Sequence, residues 1–151
     1  MKDPRWLDDD EQRIWRDYLA MHVQLTARLN RQLQADSELS LTDFAVLVHL
    51  TEAPENRMRA FELARVLEWE KSRLSHHLAR MQKRGLVDRT ECPSDGRGAF
   101  ITITPAGRKT IEDAAPKHVE TVRQLLFDTL SADQFRTLDT ISSQVLARLE
   151  E

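Results

Sequence analysis

The stretch from Arg57 to Arg108 decides the fold: RMRAFELARVLEWEKSRLSHHLARMQKRGLVDRTECPSDGRGAFITITPAGR. Before Gly85, apolar residues recur at the three- and four-residue spacing of a helix. After Gly85, apolar and polar residues alternate, as they do in a half-buried strand. The stretch therefore predicts two short helices, a turn and a two-stranded hairpin.

The two helices are predicted at residues 60–68 and from residue 71 to Gly85. The linker between them, Trp69-Glu70-Lys71, is short enough only for the tight turn of a helix-turn-helix. At about 100° per residue, the apolar residues of the second helix fall on one narrow arc that we expect to be buried: Leu74, Leu78 and Met81. Gly85 should end this helix with a left-handed backbone conformation.

The rest of the second helix is basic and rich in hydrogen-bonding side chains. Such a face can simply be a solvated surface. Because it follows a first helix and a tight turn, however, we expect it to bind in the major groove of duplex DNA. Arginine can pair bidentately with guanine, and basic side chains neutralise phosphates. We expect these residues to read bases: Ser72, Arg73, Ser75, His76 and His77. We expect two others, Arg80 and Lys83, to contact phosphates.

The hairpin pairs predicted strands at residues 86–91 and 99–104. Its connection, residues 92–98, contains the Pro and Gly residues of a turn, with Arg97 at the tip. From there Arg97 can enter a minor groove, where narrow width concentrates negative potential. Asp95 is expected to orient a basic side chain by a charge-assisted hydrogen bond. The helices and this hairpin together predict a winged helix-turn-helix.

These residues resemble the MarR family of bacterial transcriptional regulators. The matching residues are Glu62-Leu63-Ala64, Ser72, Leu74-Ser75, Leu78, Met81, Lys83, Gly85-Leu86-Val87, Arg89, Asp95, Arg97, Thr104 and Gly107-Arg108. The Asp-x-Arg motif and the later T-x-x-G-R motif are the most specific part, and the flanking helices extend the resemblance to nearly the whole chain. The resemblance implies a homodimer that binds a palindromic operator, with repression relieved by a small molecule.

Amphipathic helices are also predicted on both sides of the winged region. A long helix covers residues 7–36, and a second, capped by Ser40, covers residues 41–53. Another opens after the second strand and contains Pro116, which we expect to kink or split it. Ser131 begins a capping box that opens the last helix.

The apolar stripes of these flanking helices exceed what a small winged core can cover, which predicts a two-fold dimer. The expected fold class is mainly α with a small β-hairpin wing. Residues 1–36 would form an N-terminal dimerisation helix, residues 37–108 the winged helix-turn-helix DNA-binding domain, and residues 109–151 the C-terminal dimerisation helices. A monomer whose terminal helices pack only on one another is the alternative.

The charge distribution favours a nucleic-acid partner. The chain has a net charge of −3, but residues 57–108 carry eleven Lys and Arg against six Asp and Glu, a net charge of +5. A basic middle between acidic ends is what local phosphate binding requires.

The single cysteine, Cys92, cannot form an internal disulfide, and no apolar run approaches the roughly 20 residues that span a bilayer. With no signal peptide at the start, we expect a cytoplasmic protein without a membrane partner.

The sequence contains no motif of an enzyme, such as a Gly-rich phosphate loop or a nucleophile elbow. The neighbouring His76 and His77 point to different helix faces and cannot chelate one metal as an i, i+4 pair does. We therefore expect no catalytic residues, no metal and no cofactor. Cys92 is interpreted as a bystander, with a redox role as the alternative.

A small-molecule pocket is the remaining prediction. The family resemblance implies a cleft between the dimer helices and the winged domain, and aromatic residues that would line it are Trp15, Tyr18, His22, Phe44 and Trp69. Aromatic residues at helical spacing are also typical of a core. Three functions thus stay open: a transcriptional repressor released by a ligand, the same DNA-binding dimer without a ligand, and a protein-interaction module with a degenerate winged helix.

Overall fold

The computed structural model describes residues 2–91 and 98–151. The predictions made for Cys92, Asp95 and Arg97 lie outside the described residues. Within them, six α-helices and three short strands follow in this order: α1 Asp9–Ser37, α2 Leu41–Glu52, β1 Arg57–Arg59, α3 Ala60–Leu67, α4 Lys71–Lys83, β2 Val87–Thr90, β3 Phe100–Ile103, α5 Pro105–Leu125 and α6 Ala132–Leu149. The mainly helical class with a small β wing is confirmed.

The sheet has one strand more than the predicted hairpin. The strand order is β1-β3-β2, and both pairs are antiparallel. In β1, Arg59 lies opposite Phe100, and in β2, Val87 lies opposite Ile103. β1 has only three residues, which are too few to show the alternation that identifies a strand from sequence.

The chain forms two compact units, residues 30–116 and residues 1–29 with 117–151. Both α1 and α5 contribute residues to each unit. The unit of residues 30–116, which we call the winged unit, contains the helix-turn-helix and the sheet around a buried apolar core. The predicted buried arc of α4 is confirmed, because its three residues are in that core: Leu74, Leu78 and Met81.

The first turn of α2 is closed by the predicted cap. The backbone N–H of Asp43 donates to the Ser40 hydroxyl at 2.9 Å. In return, the backbone N–H of Ser40 donates to Asp43 Oδ2 at 2.9 Å. This capping box satisfies two N–H groups that a helix start otherwise leaves unpaired. It also fixes the Asp43 carboxylate inside the protein, where the side chain is buried.

Gly85 ends α4 in the predicted way. Its φ of +78° is in the left-handed region that glycine adopts at little cost. The N–H of Gly85 donates to the carbonyl of Gln82 at 2.9 Å, and the N–H of Leu86 donates to that of Met81 at 3.0 Å. These two bonds form a Schellman motif, which turns the chain directly into β2.

The start of α5 packs closely against this turn. The Thr104 hydroxyl accepts the N–H of Gly107 at 2.9 Å and donates to the carbonyl of Gly85 at 2.6 Å. A Cβ atom at position 107 would lie 2.1 Å from the carbonyl oxygen of Leu86. Only glycine therefore fits here, and the T-x-x-G motif joins the start of α5 to the end of α4.

The helix α5 corrects one prediction. α5 runs without a break from Pro105 to Leu125 and contains Pro116, so of the two predicted outcomes the split is wrong. Pro116 is exposed, and the carbonyl that loses its partner there can bind water instead. The capping box predicted at Ser131 is confirmed, because its hydroxyl accepts the N–H of Gln134 at 3.1 Å.

Candidate nucleic-acid interface

The outward face of α4 carries most of the side chains predicted to bind DNA. Six of them are exposed: Ser72, Arg73, Ser75, His76, Arg80 and Lys83. Because Leu74, Leu78 and Met81 hold the opposite side of the helix in the core, these six residues remain on the solvent side. The face combines two hydroxyl groups, an imidazole and three cationic groups, which can donate to base edges and to phosphates.

Arg73 is held against the turn that precedes it. Its guanidinium carbon lies 3.8 Å from the centroid of the Trp69 ring, which is cation–π distance. A guanidinium that lies over a ring still presents the N–H groups at its edge as donors. Near it, the Ser72 hydroxyl donates to Glu70 Oε1 at 2.7 Å. The start of α4 is thus ordered by side-chain contacts.

His77 does not lie where base reading would require it. Its side chain is 8% exposed, and Nε2 lies 2.7 Å from Asp43 Oδ1. His77 follows Leu74 by three residues and precedes Met81 by four, which places it beside the buried arc at helical geometry. The expectation that His77 reads a base is therefore corrected: the residue supports α4 from inside.

The Asp43 carboxylate collects several donors. Besides Ser40 and His77, it accepts from Arg84 Nη1 at 3.2 Å. Burial by itself would raise the pKa of the Asp43 carboxyl, but hydrogen bonds from His77 and Ser40 outweigh burial, so this pKa lies below its usual range. Arg84 also donates to the carbonyl of Glu38 at 2.6 Å. One carboxylate therefore joins the start of α2 to the middle and the end of α4.

Arg80 contacts the same histidine. Its Nη2 lies 3.4 Å from His77 Nδ1. Arginine can only donate, so this contact fits the tautomer that accepts on Nδ1 and carries its proton on Nε2, toward Asp43. An arginine that we predicted to bind phosphate is thereby linked to the interior of the winged unit.

Strand β1, which pairs with β3 of the hairpin, carries two arginines that were not predicted from the sequence to belong to the site. The guanidinium carbons of Arg57 and Arg59 each lie 4.0 Å from the centroid of the Phe100 ring. Arg59 Nη1 also donates to the carbonyl of Gly98 at 3.1 Å. The sequence does contain a clue to this arrangement: residues two apart on a strand share one face, and Arg57 and Arg59 are two apart. It was not used because β1 itself was not predicted.

An open groove of about 580 Å³ lies between the start of α3, the face of α4 and the base of the wing. Its polar lining includes Lys71, Ser72, Ser75 and Arg89. Hydroxyl and cationic groups thus line a concave surface on the same side as the predicted base-reading residues.

The aromatic residues predicted to line a ligand pocket have different environments. In the unit of residues 1–29 with 117–151, Trp15 and Tyr18 stack with ring centroids 5.9 Å apart, and both are exposed, as is His22. In the unit of residues 30–116, Phe44 belongs to the core and Trp69 lies under Arg73. A pocket that uses all five residues stays a prediction.

Within residues 2–91 and 98–151, no group of three or more His, Cys, Asp or Glu side chains is arranged to hold a metal ion. Nor does any helix there have the length and apolar character needed to cross a membrane.

Comparisons with known proteins agree with this geometry. A sequence profile of the MarR family matches residues 37–98. The structure of AbsC, a MarR family transcriptional regulator from Streptomyces coelicolor, is similar with a TM-score of 0.90 and 38% identity, over 97% of this chain and 99% of AbsC. Sco3205 from the same organism, another MarR family regulator, was solved in complex with DNA; it has a TM-score of 0.89 and 42% identity, over 95% of this chain and 90% of that protein. Among curated proteins, the transcriptional repressor MprA of Escherichia coli is 25% identical over 88% of this chain and 76% of MprA.

Proposed function

The chain belongs to the MarR family of transcriptional regulators, and on this premise we propose that it represses transcription by binding a palindromic operator as a homodimer. The observation that carries the proposal is the exposed polar and basic face of α4 beside the wing sheet. Family members regulate transcription and are not enzymes. We propose that the protein acts in the bacterial cytoplasm, where its duplex DNA partner would lie.

Specificity is proposed to come from the outward face of α4. Arg73 and His76 can donate to base edges in the major groove, and Ser72 and Ser75 can pair with any base. Arg80 and Lys83 follow toward the end of the helix, where phosphate contact would fix the register. At the wing tip, we propose that Arg97 enters the minor groove and that Asp95 orients a basic side chain.

The dimer is proposed from the apolar surface that a single protomer leaves exposed. In the unit of residues 1–29 with 117–151, large apolar side chains of α1 and α6 are more than half exposed: Ile14, Trp15, Tyr18, Val23, Phe135, Ile141, Val145, Leu146 and Leu149. Monomeric soluble proteins rarely leave so many large apolar side chains in water, and such patches mark association surfaces. A second copy that covers the same helices would give a closed, isologous dimer.

We further propose that a small-molecule effector relieves repression. The exposed aromatic stack of Trp15 and Tyr18 with the nearby His22 is the candidate contact surface, and Phe44 and Trp69 are the candidates in the winged unit. The corresponding alternative is a dimer that represses without any ligand. Screening metabolites for release of the protein from its operator separates the two.

The proposal is tested by footprinting on the DNA upstream of the protein's own gene and by selection from a pool of randomised duplexes. We expect both experiments to give an inverted repeat that is protected on two half-sites about one helical turn apart. Reporter expression from the selected operator should fall when the protein is present. Binding of all duplexes with equal affinity, or no binding at all, would contradict a sequence-specific regulator. Increased reporter expression would overturn the repressor assignment alone.

A further inference from the structure

Three side chains lie one above another along α4 and the turn before it. Trp69, Arg73 and His77 are spaced four residues apart, which places them on one side of a helix. The Arg73 guanidinium lies over the Trp69 ring at 3.8 Å. Trp69 also contacts His77: the two rings meet edge to face, with centroids 5.4 Å apart and planes at 81°. The indole therefore touches one exposed cation and one buried imidazole.

The buried end of this stack is fixed. His77 Nε2 lies 2.7 Å from Asp43, whose carboxylate is part of the α2 capping box and also binds Arg84. Because the imidazole cannot move without breaking this contact, the position of the ring that meets Trp69 is fixed as well. Trp69, which is itself half-buried, thus presents its indole to Arg73 from a defined position.

A fixed indole matters because a free arginine side chain is flexible. Arginine loses most of its rotamer freedom when it is ordered, and part of this loss occurs before binding if the guanidinium already lies on a ring. Stacking uses the face of the guanidinium and leaves its edge donors for the fork that matches guanine O6 and N7. The geometry therefore favours a preorganised donor pair at the start of the recognition helix.

We propose that Trp69 is a positioning residue for DNA specificity: its indole, fixed by His77 and Asp43, orients Arg73 toward a base edge in each operator half-site. The inference rests on the proposed function, since it requires that Arg73 reads a base. It assigns Trp69 a role beyond packing the turn between α3 and α4. A packing role alone would affect the affinity for all sequences, whereas orientation of Arg73 affects the preference at one base.

The test is a double-mutant cycle on duplexes that the wild-type protein selects from a randomised pool, with each base of the half-site then varied singly. Trp69→Leu removes the aromatic face, and Trp69→Phe keeps one. We expect Trp69→Leu to lower operator affinity by roughly 2- to 30-fold, because ordering the Arg73 side chain would then oppose binding by up to its full rotamer entropy. The variant should also relax the same base position that Arg73→Ala relaxes. Trp69→Phe should retain most of the affinity and the preference.

The cycle separates orientation from packing. In the Arg73→Ala background, Trp69→Leu should cause little further loss, whereas in the Lys83→Ala background it should cause its full loss, because Lys83 lies at the far end of α4. Circular dichroism melting of each variant checks that the fold persists, and Trp69→Phe still reports if Trp69→Leu does not fold. Equal losses of affinity in all backgrounds, or an unchanged base preference in Trp69→Leu with Trp69→Phe no better, would overturn the proposal.

Failure of the proposed function gives a different result. If the wild-type protein selects no sequence from the pool, both proposals fail together. If the wild type selects an operator but Arg73→Ala keeps its affinity and base preference, the proposed function as a sequence-specific regulator is retained. The positioning role of Trp69 is then overturned.

Discussion

The imidazole of His77 lies 2.7 Å from the carboxylate of Asp43, so the middle of α4 is joined to the first turn of α2. Both side chains are buried, at 8% and 6% exposure. Arg84, just beyond the end of α4, binds the other oxygen of the same carboxylate at 3.2 Å. The orientation of the proposed recognition helix therefore depends on one acid that has no predicted contact with DNA.

Replacing Asp43 with alanine should destabilise the fold. The variant loses the capping box of α2, which contributes about 1 kcal/mol. It also leaves the buried imidazole of His77 without the carboxylate beside it, and an unpaired buried polar group costs about 1–3 kcal/mol. Urea unfolding should show this loss as a lower midpoint. The matched control is Asp113→Ala, which breaks the exposed pair with Lys109 at 3.2 Å and should leave the midpoint unchanged. Equal midpoints for wild type and Asp43→Ala would contradict the role of Asp43.

The same carboxylate should make stability depend on acid pH. In the folded state the pKa of Asp43 is lowered from its ordinary value of 3.8, because the hydrogen bonds from His77 and Ser40 outweigh burial. As pH falls below about 4, the unfolded state takes up the proton first. The stabilisation present above this pH is then lost as pH falls through the folded pKa. Urea unfolding from about pH 5 downward should show a weaker pH slope in Asp43→Asn, and equal slopes would count against this linkage.

Local signals in the sequence were sufficient for most of the fold. Ser40 and Asp43 predict a cap because they are three residues apart, and Gly85 predicts a helix end because its backbone must turn left-handed. Leu74, Leu78 and Met81 predict a buried arc because helical spacing alone places them together. Each of these inferences needs only residues that are close in sequence.

The candidate site was predicted less completely, because its supports come from distant parts of the chain. Asp43 and Arg84 are 41 residues apart, and no periodicity reports that they meet. His77 was assigned to the outer face because histidine is polar, yet its imidazole lies 2.7 Å from a buried acid. Similarly, the contacts of Arg57 and Arg59 with Phe100 require the pairing of β1 with β3.

Gly107→Ala should destabilise the winged unit. The added Cβ would lie 2.1 Å from the Leu86 carbonyl oxygen, so the start of α5 would have to move away from the turn after α4. Overpacking of this kind costs roughly 1–3 kcal/mol, although alanine has the better intrinsic helix propensity. Thermal melting should show a lower midpoint. Ala106→Ser, at an exposed neighbouring position, should melt like the wild type, and a Gly107→Ala variant of higher stability would refute the steric account.

Ile141→Glu should weaken the proposed dimer. Ile141 lies on α6 and is 52% exposed in one protomer, and a buried carboxylate at an interface would lack a partner. Sedimentation of the wild type should give twice the chain mass of 17.5 kDa, and the variant should dissociate at micromolar concentration and bind operator DNA less tightly. The control, Thr140→Glu, adds the same charge about 100° around the helix and should remain dimeric. A monomeric wild type would exclude the two-fold architecture.

Arg73→Ala and Lys83→Ala should change DNA binding in different ways. Arg73 lies at the start of α4 over Trp69, whereas Lys83 is the last residue of the helix and is exposed. If Arg73 donates to a base, its loss should cost about 1–3 kcal/mol on the selected operator and relax one base position in each half-site.

If Lys83 neutralises a phosphate, its loss should weaken binding to all sequences by a similar factor. It should also reduce the slope of log affinity against log salt by about one per subunit, since one counterion fewer is released. Fluorescence anisotropy on the operator and on scrambled duplexes, each at several salt concentrations, measures both effects. An even loss across sequences for Arg73→Ala would make Arg73 a phosphate contact, and an unchanged salt slope for Lys83→Ala would place Lys83 away from the DNA backbone.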